Sequence, residues 1–361
     1  LLNELVSFGQ YDTLSEYMSG YCQINEIAQF YDSVLRRLSS DYGFDRIGRA
    51  LLMLSLTLEG FTEDEVKSMT GINQLLWSQL RVEMSSWLTN KGGRYCICDT
   101  QMIEAIERCF AQDDVSIDEC RKEIIVALLD DSDTLSHPLT FADYNYRMKQ
   151  FCYHDSYRYQ VEITYQSYKM QHWDFLRDWI CDAETFEILY RTNYSLLEDC
   201  WKAIMNDNPS LTPAAYAELD FGQIDSFLIP VIANDMATFL SSSFHLTKAA
   251  MEVSEKSMEG EAIPLIAKSV LKMNEGCRYA RNEEYETACD CFLKALVMQE
   301  SIVPTPELEI ANTCRNLALA YYYNEQYNEA AIYLNRALNY HAASTDEKSQ
   351  AEVIELSEFL A

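Results

Sequence analysis

Glycine and proline are scarce in this sequence of 361 residues, with 11 and 7 occurrences. Both residues are typical of turns and are unfavourable inside helices, so their scarcity argues against a fold of many strands and turns and favours helices. Apolar residues make up 48% and charged residues 24% of the chain, which is typical of a globular protein and not of a disordered one. A chain of this length can form two or three domains with a large buried core.

Long apolar runs are absent as well. The longest, 50–58 and 227–233, are much shorter than the roughly 20 residues that cross a bilayer, so no membrane partner is expected. The chain shows no signal peptide and starts at Leu1 rather than at a methionine, and we expect it to be a segment of a longer protein. Its 12 cysteines lack the paired spacings of a disulfide framework, which predicts reduced core thiols in a cytoplasmic protein.

Basic residues are few. The sequence has 28 lysines and arginines and 57 aspartates and glutamates, which gives a net charge of −29. Such a field repels nucleic acid and anionic lipid, so neither is an expected partner. A plain soluble acidic surface is the simplest interpretation of this charge. Attraction of a basic partner is the alternative.

Sequence motifs of common catalytic and nucleotide-binding sites are absent as well. The sequence has no Gly-x-x-x-x-Gly-Lys-Ser/Thr loop for a triphosphate and no Gly-x-Ser-x-Gly nucleophile turn. Cys96 and Cys98 could start a zinc site, but the nearest further ligands, Cys109 and His137, have irregular spacing. We therefore expect no catalytic, cofactor-binding or metal-binding residues, no cofactor, and no enzyme. A metal- or thiol-dependent enzyme is the least favoured alternative.

A repeat marks the C-terminal third of the chain. The segment 274–296 reappears 42 residues later as 316–338. The matching pairs are Gly276/Ala318, Tyr279/Tyr321, Tyr285/Tyr327, Ala288/Ala330, Phe292/Leu334, Ala295/Ala337 and Leu296/Leu338. Small residues at these places let two antiparallel helices cross closely, and the tyrosines at 279, 285, 321 and 327 are expected to fill the core. The pattern is that of tetratricopeptide (TPR) repeats and predicts a stack of α-hairpins.

The predicted solenoid covers 206–361. Its clear repeats lie at 262–341, a capping helix at 346–360 closes it, and a degenerate third copy at 233–250 precedes the other two. Ligands of such stacks bind in the groove that the first helices line. By offset along the pattern, those positions are Met273, Cys277, Ala280 and Arg281 in one repeat and Asn312, Arg315, Leu319, Tyr322 and Tyr323 in the next. As the site for a protein ligand we predict Met273, Arg281, Asn312, Arg315, Leu319, Tyr322 and Tyr323.

The N-terminal part has the pattern of a winged helix, which we place at 26–111. Its expected elements are a helix at 26–42 ended by Gly43, a helix at 46–58, a capping box at Thr62–Glu65 that opens a helix ending near Gly71, a helix at 73–88, strands at 87–90 and 94–98, and a helix from Asp99 or Thr100 to Cys109. The helix at 73–88 carries only Arg81 and Glu83 as charges, which argues against DNA binding. Several helices, forming a helical linker or arm domain, are expected at 112–205. The fold class is therefore mostly all-α, with one small β-hairpin.

These segments in this order resemble signal-transduction ATPases with numerous domains (STAND), of the NACHT type and similar to nephrocystin-3. The matching stretches are Leu1–Phe8, Tyr11–Tyr17, Tyr31–Tyr42, Leu51–Gly60, Phe61–Glu65, Leu76–Leu80, Asp99–Phe110 and Met170–Tyr190. The 42-residue period resembles the long repeats of kinesin light chain and nephrocystin-3. Many relatives have a nucleotide-contacting histidine near the end of the winged helix, where this chain has Cys98 or Asp99.

The resemblance implies a three-part molecule. An NTPase would precede this chain, with 1–25 as the end of its lid region; the winged helix and arm would transmit the switch; and the repeats would sense a protein partner and promote homo-oligomerisation. The setting would be antiviral defence in bacteria, or innate sensing or ciliary scaffolding in eukaryotes. A constitutive TPR scaffold without a switch is the first alternative.

Overall fold

The computed structural model describes residues 26–111, 114–130, 156–219, 228–258 and 263–343, together with the isolated positions 15, 19, 24 and 221. The predicted capping helix at 346–360 and most of the lid region at 1–25 lie outside these residues. Contacts divide the chain into two units, Leu1–His137 with Gln150–Ile180, and Pro138–Lys149 with Cys181–Ala361. This division falls inside the predicted arm, and the predicted domain limits at 111/112 and 205/206 stay predictions.

The first unit begins with helices α1 (Ile27–Tyr42) and α2 (Phe44–Leu56). Gly43 separates them with φ +96°, a value that glycine adopts without a steric cost. The predicted helix at 26–42 and its end at Gly43 are thereby confirmed. Helix α2 starts and ends two residues earlier than predicted, and it is buried on nearly all sides, which explains its almost continuous apolar sequence.

The predicted capping box is present at the start of helix α3 (Glu63–Thr70). The Glu65 backbone N–H donates to Thr62 Oγ1 (3.3 Å), and the Thr62 N–H donates to Glu65 Oε2 (2.7 Å). Two of the unpaired donors at the helix start are satisfied in this way. Gly71 in the left-handed conformation ends the helix, as predicted.

A three-stranded antiparallel sheet completes the winged-helix order of elements. Its strands are β1 (Phe61–Thr62), β2 (Leu88–Lys91) and β3 (Arg94–Ile97), in the spatial order β1-β3-β2. Helix α4 is Gln74–Glu83, so the prediction of a helix to 88 was wrong at its end. Residues 84–87 leave the helix as turns because Leu88 pairs with Ile97 across the hairpin. Asp99 caps helix α5 (Thr100–Phe110).

One apolar core holds the first unit together. Helices α1 and α2 pack on α5, and the largest fully buried side chains there include Trp77, Phe61, Leu35, Leu38, Ile47, Leu51 and Met53. Helices α6 (Asp114–Asp130), α7 (Ser156–Lys169) and α8 (Trp173–Ile180) follow. Ile124 of α6 and Ile163 of α7 lie in the same core.

The second unit opens with helices α9 (Ala183–Thr192) and α10 (Tyr194–Asp207) and a short 3-10 helix (Pro213–Glu218). Trp201 Nε1 donates to the Tyr216 hydroxyl (2.9 Å) in the interior. The Tyr216 ring also meets Phe186 and Phe239 edge-on, with centroids 4.9 Å and 6.4 Å away. These rings tie the helices before the repeats into the core of this unit.

Three α-hairpins follow: α11 (Ile229–Ser243) with α12 (Thr247–Met258), α13 (Leu265–Arg281) with α14 (Tyr285–Glu300), and α15 (Glu307–Tyr323) with α16 (Tyr327–Ala343). The prediction of an all-α fold with a small sheet and a TPR-like solenoid is confirmed. The degenerate copy predicted at 233–250 lies in the first of these hairpins. Within the described residues, no helix combines the length and apolarity that crossing a membrane requires.

The two clear repeats each contain a turn of the same backbone geometry. Glu283 and Glu325, which are 42 residues apart in the printed sequence, have φ +65° and +61°. Glu284 N donates to Tyr279 O (3.0 Å), and Gln326 N donates to Tyr321 O (2.8 Å). The sequence repeat is therefore a repeat of backbone geometry. In the α11–α12 hairpin the residue with positive φ is His245, and the turn bond runs from Leu246 N to Leu240 O (2.9 Å).

Candidate functional site

The first helices of the three hairpins, α11, α13 and α15, lie side by side. Helix α13 contacts both α11 and α15. Asn274 Nδ2 donates to Asn234 Oδ1 (2.7 Å), and Asn316 Nδ2 lies 3.6 Å from Cys277 Sγ. We call the surface formed by α11, α13 and α15 the first-helix face. In stacked hairpin repeats such a continuous face is the one that binds other proteins.

The asparagines that bridge the first helices were not predicted as functional residues. Asn274 and Asn316 occupy equivalent places in the two repeats, since they are 42 positions apart. Both asparagines could have been predicted from this equivalence and from their polar side chains on otherwise packed helices. Both side chains are half-buried and fix the spacing of neighbouring helices.

All the predicted groove residues lie on α13 or α15. Arg281, Tyr322 and Tyr323 are exposed, whereas Met273, Cys277, Ala280, Asn312, Arg315 and Leu319 are half-buried. Met273, Cys277 and Ala280 pack against the core around Phe292, so they contribute to packing as well as to the face. Their role in binding a protein stays a prediction.

Positive charge gathers around Cys277 on the first-helix face. Burial raises the pKa of the Cys277 thiol, and the neighbouring guanidinium groups of Arg281, Arg278 and Arg315 oppose that rise. Arg278 is itself buried and donates to Ser254 Oγ (2.6 Å), so it serves the packing of α12 on α13. Arg281, by contrast, is exposed at the end of α13.

Four tyrosines meet at the turn end of the two clear repeats. The Tyr285 and Tyr323 rings stack with centroids 5.5 Å apart and planes at 20°. Tyr322 meets Tyr323 and Tyr327 edge-on, at 5.6 Å and 5.5 Å. We call these four residues the tyrosine patch. Tyr322, Tyr323 and Tyr327 are 42%, 60% and 59% exposed, so the prediction that Tyr327 fills the core was wrong.

The position of Tyr327 explains this correction. It is the first residue of α16, and the tight turn at Glu325 leaves it at the edge of the hairpin, beside Tyr322. Tyr279 and Tyr321, which lie deeper in α13 and α15, do pack against the core around Phe292, as predicted. A shared sequence pattern therefore includes both core tyrosines and surface tyrosines.

Two other kinds of site were considered from the sequence, a zinc site at Cys96 and Cys98 and a DNA-binding surface on helix α4. Cys96 and Cys98 have their sulfurs 3.4 Å apart, and burial raises the pKa of the Cys96 thiol to about 12. His137 lies outside the described residues, and no group of three or more metal-ligating side chains occurs within them. Helix α4 exposes Leu75 and Val82, and Arg81 is its single exposed basic residue.

The described elements define an all-α protein with a winged-helix unit and a TPR-like α-solenoid. No family model and no curated protein sequence matches the chain. One solved structure to which it is similar is the crystal structure of a signal-transduction ATPase with numerous domains (STAND) protein with a tetratricopeptide repeat sensor, from Pyrococcus horikoshii.

That similarity has 15% sequence identity and a TM-score of 0.32, and it covers 94% of this chain and 54% of the other. This chain thus spans about half the length of that protein. A TM-score of this size does not establish a shared fold. The assignment of an α-solenoid rests on the hairpins described above.

Proposed function

We propose that the second unit is a protein-recognition module that binds a polypeptide on its first-helix face. The observation that carries the proposal is the run of adjoining first helices α11, α13 and α15, which ends in the exposed side chains Arg281, Tyr322 and Tyr323. Tyrosine and arginine are the residue types enriched at the energetic centres of protein interfaces. Exposed aromatic rings in one cluster are also uncommon on a surface with no binding role.

Selection of ligands from a displayed library of random linear peptides, with the full chain immobilised, tests this function. The expected result is enrichment of peptides whose binding falls about tenfold or more for Leu319→Ala/Tyr323→Ala, because these side chains supply contact area on the face. Affinity is measured by titration with the purified peptides.

The matched control is Val297→Ala/Ile332→Ala, which removes apolar area from exposed positions on the second helices α14 and α16. Selected peptides should bind this variant as they bind the parent chain. Peptides that bind the Leu319→Ala/Tyr323→Ala variant with unchanged affinity would overturn the assignment of the face.

We further propose that this module is the sensor of a STAND-type switching NTPase encoded before Leu1. The support is the order of a winged-helix unit followed by TPR-like hairpins, together with the sequence resemblance to NACHT-type proteins and nephrocystin-3. A partner that binds one state of the repeats more tightly would shift the population of the arm and favour oligomers. Defence against viruses and innate sensing are the settings that this resemblance suggests.

The constitutive scaffold is the competing function. A phosphate-binding Gly-x-x-x-x-Gly-Lys-Ser/Thr motif in the coding sequence upstream of Leu1 would support the switch, and its absence would favour the scaffold. In both proposals this chain carries no catalytic residue and needs no cofactor. Stoichiometric zinc in elemental analysis of the purified protein would contradict that part.

A further inference from the structure

The tyrosine patch lies among acidic side chains. The two repeat turns, 282–286 and 324–329, contain five exposed carboxylates and no lysine or arginine. These carboxylates are Glu283, Glu284, Glu286, Glu325 and Glu329. Arg281 at the end of α13 directly precedes the first turn, and Lys248 follows Thr247, whose Oγ1 accepts from Asn282 Nδ2 (3.0 Å). Five carboxylates against these two cations leave the turns with an excess of negative charge.

The rings of the patch are held in a defined arrangement. Tyr285 belongs to the second helix of one repeat and Tyr323 to the first helix of the next, so their stacking joins the two hairpins. Tyr322 is supported edge-on by Tyr323 and Tyr327. A ligand would therefore meet aromatic surface whose ordering entropy is already lost in the free protein.

The chemistry of this surface selects a cation. The face of an aromatic ring attracts positive charge, and flanking carboxylates add to that attraction. An apolar partner would have to desolvate the carboxylates without pairing them, which is costly. An acidic partner would be repelled by the turns and by the net charge of −29.

Resting on the proposed protein-recognition function, we propose that the tyrosine patch and the acidic turns bind an arginine-bearing linear segment of the partner protein. Arginine fits better than lysine, because a planar guanidinium stacks on tyrosine and donates to carboxylates at the same time. The contact would anchor one end of a polypeptide that continues along the first-helix face.

Fluorescence anisotropy of a labelled arginine-rich peptide with glycine and serine spacers, titrated with the full chain, tests the inference. The comparison peptides carry citrulline or lysine in place of arginine. We expect saturable binding of the arginine peptide, with affinity about tenfold lower for Tyr322→Ala/Tyr323→Ala and nearly unchanged for Tyr322→Phe/Tyr323→Phe, which keeps both rings.

The charge is tested by Glu283→Gln/Glu325→Gln, and its matched control is Asp199→Asn/Asp207→Asn, which neutralises two exposed carboxylates on helix α10. The patch variant should lose affinity several-fold and the control should not. Equal losses in both variants would show that only the net charge attracts the peptide, and would overturn the site. Equal binding of the citrulline or lysine peptide would overturn the role of arginine.

The two proposals fail in distinguishable ways. Library peptides that lack basic residues but depend on Leu319 and Tyr323 would uphold recognition by the first-helix face and overturn the arginine-bearing ligand. Arginine-containing peptides whose affinity depends on Tyr322 and on the acidic turns would support the inference. Far-UV circular dichroism of every variant checks that the hairpins are intact.

Discussion

Two carboxylates, those of Glu187 and Asp235, share one guanidinium inside the second unit. Arg191 pairs with Glu187 (Nε to Oε1, 3.0 Å) and also with Asp235. Glu187 and Asp235 are 3% and 6% exposed, so neither charge is well solvated. Burial first, and then repulsion from Glu187, raises the pKa of Asp235 to about 7, although Arg191 opposes the rise.

This raised pKa predicts a stability that depends on pH. The stabilisation from protonated Asp235 is complete below its ordinary pKa of 3.8 and is lost as pH rises through about 7. We expect the free energy of unfolding of the second unit to fall by about 2–3 kcal/mol between pH 5 and pH 8 from this group. Urea denaturation at a series of pH values measures it.

The variant Asp235→Asn should flatten that dependence, because the amide carries no charge at either pH. Asp207→Asn, at an exposed position, is the control and should keep the slope of the parent chain. A slope that Asp235→Asn leaves intact would mean that another group titrates.

A third buried carboxylate, Glu162, joins helix α7 to the loop before β1. It accepts from the backbone N–H groups of Leu58 (3.1 Å) and Glu59 (2.8 Å) and from the Thr57 hydroxyl (3.0 Å). Burial raises the pKa of Glu162, and these hydrogen bonds oppose the rise. The sequence offered no sign of this contact, because its partners are about 100 residues apart.

We therefore expect Glu162→Ala to destabilise the first unit by about 3 kcal/mol, since it leaves buried donors without an acceptor. Glu162→Gln should cost less, about 1–2 kcal/mol, because the amide oxygen keeps one acceptor in place. Thermal unfolding followed by circular dichroism compares the two variants with the parent chain. An alanine variant as stable as the glutamine variant would contradict this role.

At the scale of elements, the two repeats pack the same helix crossing with different side chains. A Cβ atom at Gly276 would lie 2.7 Å from Phe292 Cε1, so the ring occupies the space of the missing methyl group. The second repeat has Ala318 and Leu334 in these two places. Its smaller leucine leaves room for the alanine, and total volume at the crossing is balanced.

This balance predicts a compensating pair of substitutions. Gly276→Ala should destabilise the second unit by about 1 kcal/mol, since overpacking exceeds the gain in helix propensity. Adding Phe292→Leu should recover most of the loss and reproduce the combination of the second repeat. Chemical denaturation of both single variants and the double variant gives the coupling energy. Additive losses would show that the two sites do not share space.

The elements also show what a sequence can and cannot predict. Helix α1, the capping box at Thr62 and the paired repeats followed from periodicity and spacing, because local patterns determine them. The end of α4 was wrong, because pairing of Leu88 with Ile97 interrupts a helical pattern that is locally favourable. Exposure of Tyr327 follows from the tight turn at Glu325, and the bond from Asn274 to Asn234 joins two hairpins. A pattern of shared core positions contains neither kind of information.

At the scale of the whole molecule, the question is where one compact unit ends. The predicted solenoid starts at 206, whereas contacts divide the chain between Ile180 and Cys181. Helices α9 and α10 supply Phe186 and Trp201, which enclose Tyr216 in the second unit. A fragment that begins at 206 would expose Tyr216 and Phe239, both fully buried in the described chain.

We therefore expect the fragment 181–361 to fold by itself and the fragment 206–361 to be less stable by several kcal/mol, because the second lacks two helices of its own core. Circular dichroism melting and amide hydrogen exchange measure the difference, with protection around Tyr216 as the local signal. Trp201→Phe in the longer fragment is the control: it keeps the ring packing but removes the donor to Tyr216, and it should cost only about 1 kcal/mol. Equal melting temperatures for the two fragments would place the boundary at 206 instead and make α9 and α10 an addition to the solenoid.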